Sequence, residues 1–389
     1  MKRRAYLGAL SSGVLALAGC QAQGSQSRST PPETANRSHS AAACDLIQRV
    51  KMGDFALEEL SVDPNHQFNR IELSPNDSVT ESIRGGSPET RYILGPGTYE
   101  LDSINIPRDT IIEGHGACQT ILRQRPESSN VHFLRASGQS RVQIQNLTVD
   151  VNAQMQPQRH TEGERGIQFN GGHSGIVRNV ELVNAGGHSI KWFDWDGGVA
   201  HRVFSHSPAK TAPKPGGRGT IQAGASNQVT RNILVHACTL ILPSKCISHR
   251  GTETESVLVT GSRLVDPGEE PDWIGVNLHQ TANGLVSANE FVQIGPEARD
   301  VRLTVKTNEI LITGNSFKNP NTRVVEDSVY AAPSTDDITL QQNVTGLNSQ
   351  PPFHIKEVKV GLDDLTCDDL LNFEFENPGE RERTALVTC

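Results

Sequence analysis

One short phrase decides the fold, and its first two copies read VQIQNLTV at 142–149 and GIVRNVEL at 175–182. Each copy has apolar residues in alternation, then a small or amide residue, then another apolar residue. Eight copies recur at intervals of 23 to 33 residues, and a fixed period of this length indicates a repeat architecture. The positions equivalent to Asn146 are Asn179, Arg202, Asn232, Ser262, Asn289, Asn315 and Asn343.

A second strand-like phrase precedes most copies by 11 to 13 residues, as in GIQFNG at 166–171 and CISHRG at 246–251. Two strands and a connection within one period fit one turn of a three-sided solenoid of parallel strands. Each turn of such a solenoid buries its inner face only against its neighbours. Stacked asparagines at one bend can hydrogen-bond along the axis, which explains an amide among Ile and Val.

The stretch YILGPGTYELDSINIPRDTIIEGHGACQTILRQ at 92–124 resembles the opening turns of the pectin-lyase-like superfamily. The resemblance lies in GPGTYEL, in the IIEGHG turn and in the regularly spaced apolar residues that follow this turn. It implies an all-β chain folded as a right-handed parallel β-helix, which we expect over residues 90–349. A β-sandwich array is the rival fold. Short caps are expected at 44–89 and 350–389, because open solenoid ends expose unpaired strand edges.

The first 20 residues read as an export signal. Arg3 and Arg4 precede an apolar stretch that is too short to span a membrane, and the Arg pair resembles a twin-arginine signal. The sequence LAGC ending at Cys20 resembles a lipobox, whose cysteine is acylated. Residues 21–43 are polar and read as a flexible linker. We therefore expect an extracellular, lipid-anchored monomer at the cell surface.

Charge and cysteine content narrow the partners further. A formal net charge of −8 argues against nucleic-acid binding. Beyond Cys20, six cysteines remain, and an even number in an exported chain favours disulfides over metal sites. Cys238 and Cys246 flank one short loop and are predicted to pair, with Cys367 and Cys389 as the next pair.

The second phrase marks the face on which a binding groove is expected. Its inward residues are predicted as Ile167, Ile190, Ile221, Ile247, Val276 and Leu303, and its outward ones as Gln168, Lys191, Gln222, Ser248, Asn277 and Thr304. Catalytic candidates on or beside these strands are His188, Lys191, Asp194, Arg218, Lys245 and Arg250, and binding candidates are Trp195, Asp272 and His279. Insertions at 152–165 and 205–218 are predicted to wall this face. The alternative is solvated surface charge.

Asp194 and Asp196 are two residues apart, so both carboxylates would face one way on an extended strand. They are candidates for binding Ca²⁺ or for acid and base roles. Trp192 and Trp195 are candidate sugar-stacking platforms; the alternatives are a core position for Trp192 and a turn for the aspartates. No other cofactor is predicted. The histidines show no HExxH or HxH spacing, so no metal site is predicted.

The motifs that polygalacturonases of this superfamily carry are absent, and so is the acidic cluster of calcium-dependent pectate lyases. The only GHG, at 114–116, lies in an opening turn. Two functions therefore stay open. The first is a polysaccharide lyase or glycoside hydrolase acting on a polysaccharide, and an anionic one is expected. The second is a non-catalytic β-helix that binds glycans or builds the cell surface.

Overall fold

A computed structural model of the chain describes residues 68–126, 132–138, 140–156, 165–206, 219–224, 229–241, 245–266, 273–292, 299–318, 329–332, 334–341, 344–345 and 353–354. The signal sequence, Cys20, the linker and nearly all of the C-terminal segment lie outside these ranges. Within them, no helix has the length and apolarity needed to cross a membrane.

The described residues are almost entirely β-strand, with one helix, α1 (Val79–Arg84), and one 3₁₀ turn at Ala153–Met155. In chain order the strands are β1 (Asn69–Leu73), β2 (Thr90–Leu94), β3 (Gly97–Leu101), β4 (Ile104–Asn105), β5 (Thr110–Glu113), β6 (Thr120–Gln124), β7 (His132–Ser137), β8 (Ser140–Asp150), β9 (Arg165–Val183), β10 (Ile190–His206), β11 (Gly219–Ala223), β12 (Arg231–His236), β13 (Thr239–Ile241), β14 (Lys245–Thr260), β15 (Arg263–Val265), β16 (Ile274–Ser287), β17 (Glu290–Val292), β18 (Arg299–Thr304), β19 (Asn308–Thr313), β20 (Ser316–Lys318), β21 (Val329–Ala331), β22 (Asp336–Gln341), β23 (Val344–Thr345) and β24 (Phe353–His354).

All strand pairs are parallel and form three sheets, since the long strands bend from one sheet into the next. Sheet A contains β4, β7, β11, β18, β21, β24 and the first parts of β9, β10, β14 and β16. Sheet B contains β1, β2, β5, β12, β19, β22, the first part of β8, the middle of β9 and β10, and the last parts of β14 and β16. Sheet C contains β3, β6, β13, β15, β17, β20, β23 and the last parts of β8, β9 and β10.

This arrangement is the predicted right-handed parallel β-helix. Its ladder extends past the predicted limits, because β1 already pairs with β2 and β24 still pairs with β21. Residues from Asn69 onward therefore belong to the coils rather than to a cap ending at 89. Each coil contributes one strand to each sheet, and consecutive strands in a sheet lie about 4.8 Å apart.

Side-chain stacks along the axis form the core. In sheet A, Ile190 lies between Ile167 and Ile221, and two residues further Trp192 stacks on Phe169 with ring centroids 5.8 Å apart. In sheet C, Phe291 stacks on Phe317 at 5.1 Å. These rings are at most 3% exposed, so each coil buries its inner face on the coils above and below it.

The bend between sheets B and C carries two amide ladders. Asn146 and Asn179 have φ values of 56° and 52°, and the Asn179 amide donates to Oδ1 of Asn146 at 3.0 Å. Further along, Nδ2 of Asn289 donates to Oδ1 of Asn315 at 3.0 Å, and Asn315 donates to the Val286 carbonyl at 2.8 Å. The second ladder is buried and lies one position later in each coil than the first.

One predicted member of the ladder belongs elsewhere. Asn232 lies at the bend between sheets A and B, where its amide donates to Oδ1 of Asp196 at 2.7 Å. The repeat phrase placed it one bend away from its true position, because the connection before it is longer than in the other coils. Asn343 lies outside the described residues.

The predicted disulfide between Cys238 and Cys246 is wrong, because both are free thiols in the core. Cys238 follows the bend between sheets B and C, whereas Cys246 belongs to sheet A, so the two side chains stack in different columns. Burial raises the pKa of the Cys238 thiol to about 12 and shifts that of Cys246 in the same direction. Cys118 is disulfide-bonded. The second predicted pair, Cys367 and Cys389, lies outside the described residues.

Candidate functional site on sheet A

The outward residues of sheet A form one column along the axis. The register aligns Gln168, Lys191, Gln222, Ser248 and Asn277, as the alternation predicted. The next coil differs from the prediction: Val301, not Leu303, is the inward partner of Val276, so Arg302 rather than Thr304 continues the column. The column continues through Arg135 to Asn105 at one end and through Tyr330 to His354 at the other.

These outward side chains are buried. Gln168 is 5% exposed, Lys191 7% and Asn277 8%, although all three point away from the core. We name these outward residues and their neighbours in the column the sheet A floor: Arg135, Gln168, Lys191, Gln222, Ser248, Asn277, Arg302 and Tyr330. The predicted walls lie mostly at 157–164 and 207–218, outside the described residues.

Cations dominate this face. Arg135, Lys191 and Arg302 lie on the sheet A floor, and Arg165, Lys245 and Arg299 begin the neighbouring strands. In the described strands of sheet A, Asp300 is the single acidic residue, and its side chain is buried, with 1% of its surface exposed. The guanidinium of Arg299 lies over the Tyr330 ring, 4.7 Å from its centre. The face is thus positive on a chain whose formal net charge is −8.

Lys191 is the most perturbed of these cations. Burial, reinforced by the positive charge of Arg165, lowers the pKa of its ammonium group from 10.5 to about 8. Its Nζ lies 5.3 Å from the centre of the Phe193 ring. A substantial neutral fraction therefore exists just above neutral pH, as a general base requires.

Several polar atoms of this face have no hydrogen-bond partner in the structure. They are Oε1 of Gln168, Oε1 of Gln222, Nε of Arg135, Nε of Arg302 and Oγ of Ser137. An unpartnered buried polar group costs about 1–3 kcal/mol, so folded proteins contain few of them. On an outward face, such atoms are available for hydrogen bonds with a ligand.

The other candidate residues lie as follows. His188 precedes β10 and is 4% exposed. His279 belongs to the column next to the floor, where its ring contacts the Thr304 hydroxyl at 3.0 Å. Lys245 begins β14 and is half-buried, in register with Ile274. The backbone of Arg250 pairs with His279, so this residue belongs to the same column. Arg218 and Asp272 lie outside the described residues.

The Trp195 prediction is wrong. Trp195 is 1% exposed, and its ring lies 5.2 Å from Phe169, so it cannot stack on a sugar. Asp194 is exposed and has a φ of 52°, which breaks the strict alternation on which the prediction depended. Asp196 instead pairs with Arg231 at 2.9 Å. Asp194 and Asp196 therefore do not converge on one extended face.

No calcium site is evident in the parts of the chain that the structure describes. They contain no group of three or more His, Cys, Asp or Glu residues able to hold a metal ion. Sequence reasoning missed Arg135 and Arg302 as floor residues. The alternation of HFLRAS at 132–137 and RDVRLT at 299–304 carried the signal.

Comparison with known proteins supports the fold. An alginate lyase from Paenibacillus sp. str. FPU-7 superposes with a TM-score of 0.53 at 13% identity, covering 72% of this chain and 98% of that chain. A polygalacturonase from Erwinia carotovora ssp. carotovora gives a TM-score of 0.42 at 13% identity, covering 77% and 98%. PfbA, a surface adhesin of Streptococcus pneumoniae, gives 0.43 at 12%, covering 71% and 90%. The sequence matches no protein-family model and no curated protein.

Proposed function

We propose that the sheet A floor binds a polysaccharide that carries carboxylate groups, and that the chain cleaves it as a polysaccharide lyase. The observation that carries this proposal is the row of cations and unpartnered polar atoms on one outward face, where Lys191 and Arg165 are buried. Carboxylates accept charge-assisted hydrogen bonds from arginine, and sugar hydroxyls can contact the glutamine oxygens. An anionic ligand would also offset the repulsion between Lys191 and Arg165.

Elimination fits the residues better than hydrolysis does. Hydrolysis of a glycosidic bond usually requires two carboxyl groups, one on each side of the bond. In the described strands of sheet A, the single carboxyl side chain is that of Asp300, and it is buried. Elimination requires a base and a cation that stabilises the enolate formed beside the carboxylate. Lys191 and Arg165 supply these two groups.

The proposed reaction proceeds at one uronate residue. Arg165 pairs with its carboxylate, and neutral Lys191 removes the proton from the carbon next to that carboxylate. The electron pair of that C–H bond forms the new C=C double bond as the glycosidic C–O bond on the neighbouring carbon breaks. The departing oxygen takes a proton from water and the Lys191 ammonium group returns its proton to solvent, so the products are an unsaturated uronate and a new chain end. The fold also supports a lyase elsewhere, in the Paenibacillus enzyme.

The test is a comparison of Lys191→Met with Lys306→Met, which replaces an exposed lysine outside the floor. The wild type should release products with unsaturated uronate absorbance from acidic polymers and none from neutral glucans. Its rate should rise as pH increases through about 8, because the neutral amine is the active form. Lys191→Met should lose about 10²–10⁴-fold in kcat and keep its binding, whereas Lys306→Met should match the wild type. Saturated products, or full activity in Lys191→Met, would contradict the proposal.

A binding protein without catalysis is the second candidate, and the position of Lys191 favours it. The lysine is 7% exposed and lies against Phe193, which restricts its access to a substrate proton. In that case acidic polymers bind with strong salt dependence and no bond is broken. The same experiment separates the two candidates, since binding is measured alongside product release.

The location is proposed together with the function. A lipid on Cys20 would hold the chain at the outer face of a membrane, where extracellular polysaccharides occur. Cys20→Ser should therefore move the protein from the membrane fraction to the soluble fraction. Retention of this variant in the membrane fraction would place the anchor elsewhere.

A further inference from the structure

Two cation–π contacts between described residues lie on the outward side of sheet A, one towards each end of the sheet A floor. Towards the N-terminal end, Nζ of Lys191 lies 5.3 Å from the centre of the Phe193 ring. Towards the C-terminal end, the guanidinium of Arg299 lies 4.7 Å from the centre of the Tyr330 ring. Tyr330 is the register partner of Arg302, so this second contact holds two arginines and one aromatic ring in the same part of the floor.

The arginines at the C-terminal end of the floor differ in their partners from an arginine on sheet C. Arg263 pairs with Glu290 of the next coil at 3.3 Å, which neutralises its charge. Within the ranges that the structure describes, Arg299 and Arg302 form no ion pair, and Nε of Arg302 has no hydrogen-bond partner. Asp300 lies between them in the sequence but pairs with neither. Both guanidinium groups can therefore donate charge-assisted hydrogen bonds to an anionic ligand.

The two ends of the floor are separated by side chains without charge. Gln222, Ser248 and Asn277 occupy the three coils between Lys191 and Arg302. Four steps of about 4.8 Å from coil to coil place the strands of these two cations about 19 Å apart. Oε1 of Gln222 has no partner and requires a donor, which a sugar hydroxyl supplies and a carboxylate does not.

We propose that Arg299, Arg302 and Tyr330 form a distal subsite for a carboxylate-bearing sugar, four units away from the sugar held at Lys191. This inference rests on the proposed function, because it extends the same polymer along the floor. A pyranose unit is about as long as the step between two coils, so five units reach from Lys191 to Arg302. The Tyr330 ring holds the Arg299 guanidinium in place, and the two arginines bind the carboxylate.

The distal subsite selects for the length of the polymer. Neutral hydrogen bonds in the middle of the floor add affinity in small increments, whereas charge-assisted bonds are about twice as strong. Affinity therefore rises sharply when a fifth unit reaches Arg302. Lys245 begins the strand that contains Ser248, so a third unit already reaches it and it does not produce this step. Oligomers of fewer than five units are weak ligands.

The test measures how oligouronates of two to eight units bind the full chain in calorimetric titrations at low salt. A buffer of about pH 6 keeps Lys191 protonated, since its pKa is about 8, and so prevents cleavage during the titration. In the wild type, affinity should rise at least about tenfold between four and six units. Arg299→Gln and Tyr330→Leu should each remove this step and leave the affinity for trimers within about twofold. Arg263→Gln, the matched control on sheet C, should retain the step.

Each other result contradicts the distal subsite in a different way. A steady rise without a step in the wild type, or a step that persists in Arg299→Gln, would overturn it and leave carboxylate binding by the floor intact. Equal losses at all lengths in both variants would show general damage to the floor rather than a subsite. If oligouronates of every length failed to bind, the proposed function would be overturned as well. None of these outcomes depends on lyase activity.

Discussion

Sheets A and B belong to the same coils, yet their outward faces have opposite character. In the coil that begins with β11, Gln222 faces outward from sheet A and Leu234 faces outward from sheet B. The inner columns of both sheets are apolar, with Ile221 and Val235 in this coil. Packing in the core thus requires an apolar side chain at every second residue and places no such requirement on the residues between. A chemical property shared by the outward residues of one sheet therefore indicates what that sheet contacts.

The largest effect should come from exchanging the two faces within one coil. Leu234→Gln should lower the free energy of unfolding by about 2–4 kcal/mol, because it removes buried apolar area and buries an amide. Gln222→Leu, the reverse change on sheet A, should alter it by less than about 1 kcal/mol, since Oε1 of Gln222 has no hydrogen-bond partner. Denaturant midpoints at an unchanged m-value measure both variants. Equal costs would show that the two faces do not differ in cover.

Lys191→Met should stabilise the protein by up to about 3 kcal/mol at pH 7, because it removes a buried charge. The folded-state pKa, about 8, lies below the unfolded value of 10.5. Below pH 8 both states bind the proton and the cost is fully present. Between pH 8 and 10.5 the unfolded state binds more protons, so wild-type stability rises with pH. The advantage of Lys191→Met should therefore vanish near pH 10.5, as thermal unfolding at several pH values would show. A constant difference would mean that the pKa of Lys191 is the same in the folded and unfolded states.

Arg302→Gln should weaken binding of acidic polymers about tenfold and reduce the salt dependence of that binding. The matched control is Arg263→Gln on sheet C, which removes an arginine that pairs with Glu290 at 3.3 Å. The control should bind as the wild type does. Titration with acidic oligosaccharides at two salt concentrations gives both quantities. Equal losses in the two variants would indicate a general charge effect rather than a site.

The smallest effect is expected at the bend between sheets A and B. Arg231 and Asp196 form an ion pair at 2.9 Å, but their side chains are 51% and 42% exposed. Arg231→Ala should therefore cost less than about 1 kcal/mol. A loss of more than twice that in urea unfolding would show that this bend couples the two faces.

Much of the fold could be predicted because a solenoid repeats its signals. The alternation placed Ile167, Ile190 and Ile221 inside and Lys191 outside, and the structure confirms these positions. Alternation fails wherever the chain turns: a left-handed residue at Asp194 directs Trp195 into the core. The same limit explains why Asn232 was assigned to the wrong bend. The length of a connection in the sequence does not reveal which bend follows it.

The face-specific properties were harder to predict. The strands of sheet B read as continuous apolar runs, such as ILIT at 310–313 and VLVT at 257–260, which is typical of strands buried on both faces. These apolar runs were visible in the sequence, but they predicted only that the segments are strands and not that their outward faces are buried. The burial of the sheet A floor depends on groups far apart in the sequence, so spacing alone could not reveal the shifted pKa of Lys191.

The in-register stacking of Ile221 on Ile247 has an evolutionary consequence. Because each coil ends where the next begins with the same kind of residue, a duplication of residues 221–246 would insert one whole rung without disturbing its neighbours. Each added rung would lengthen the outward face of sheet A by about 4.8 Å. The number of rungs in the ancestral gene, rather than any one side chain, would then determine how long a polymer the protein can hold.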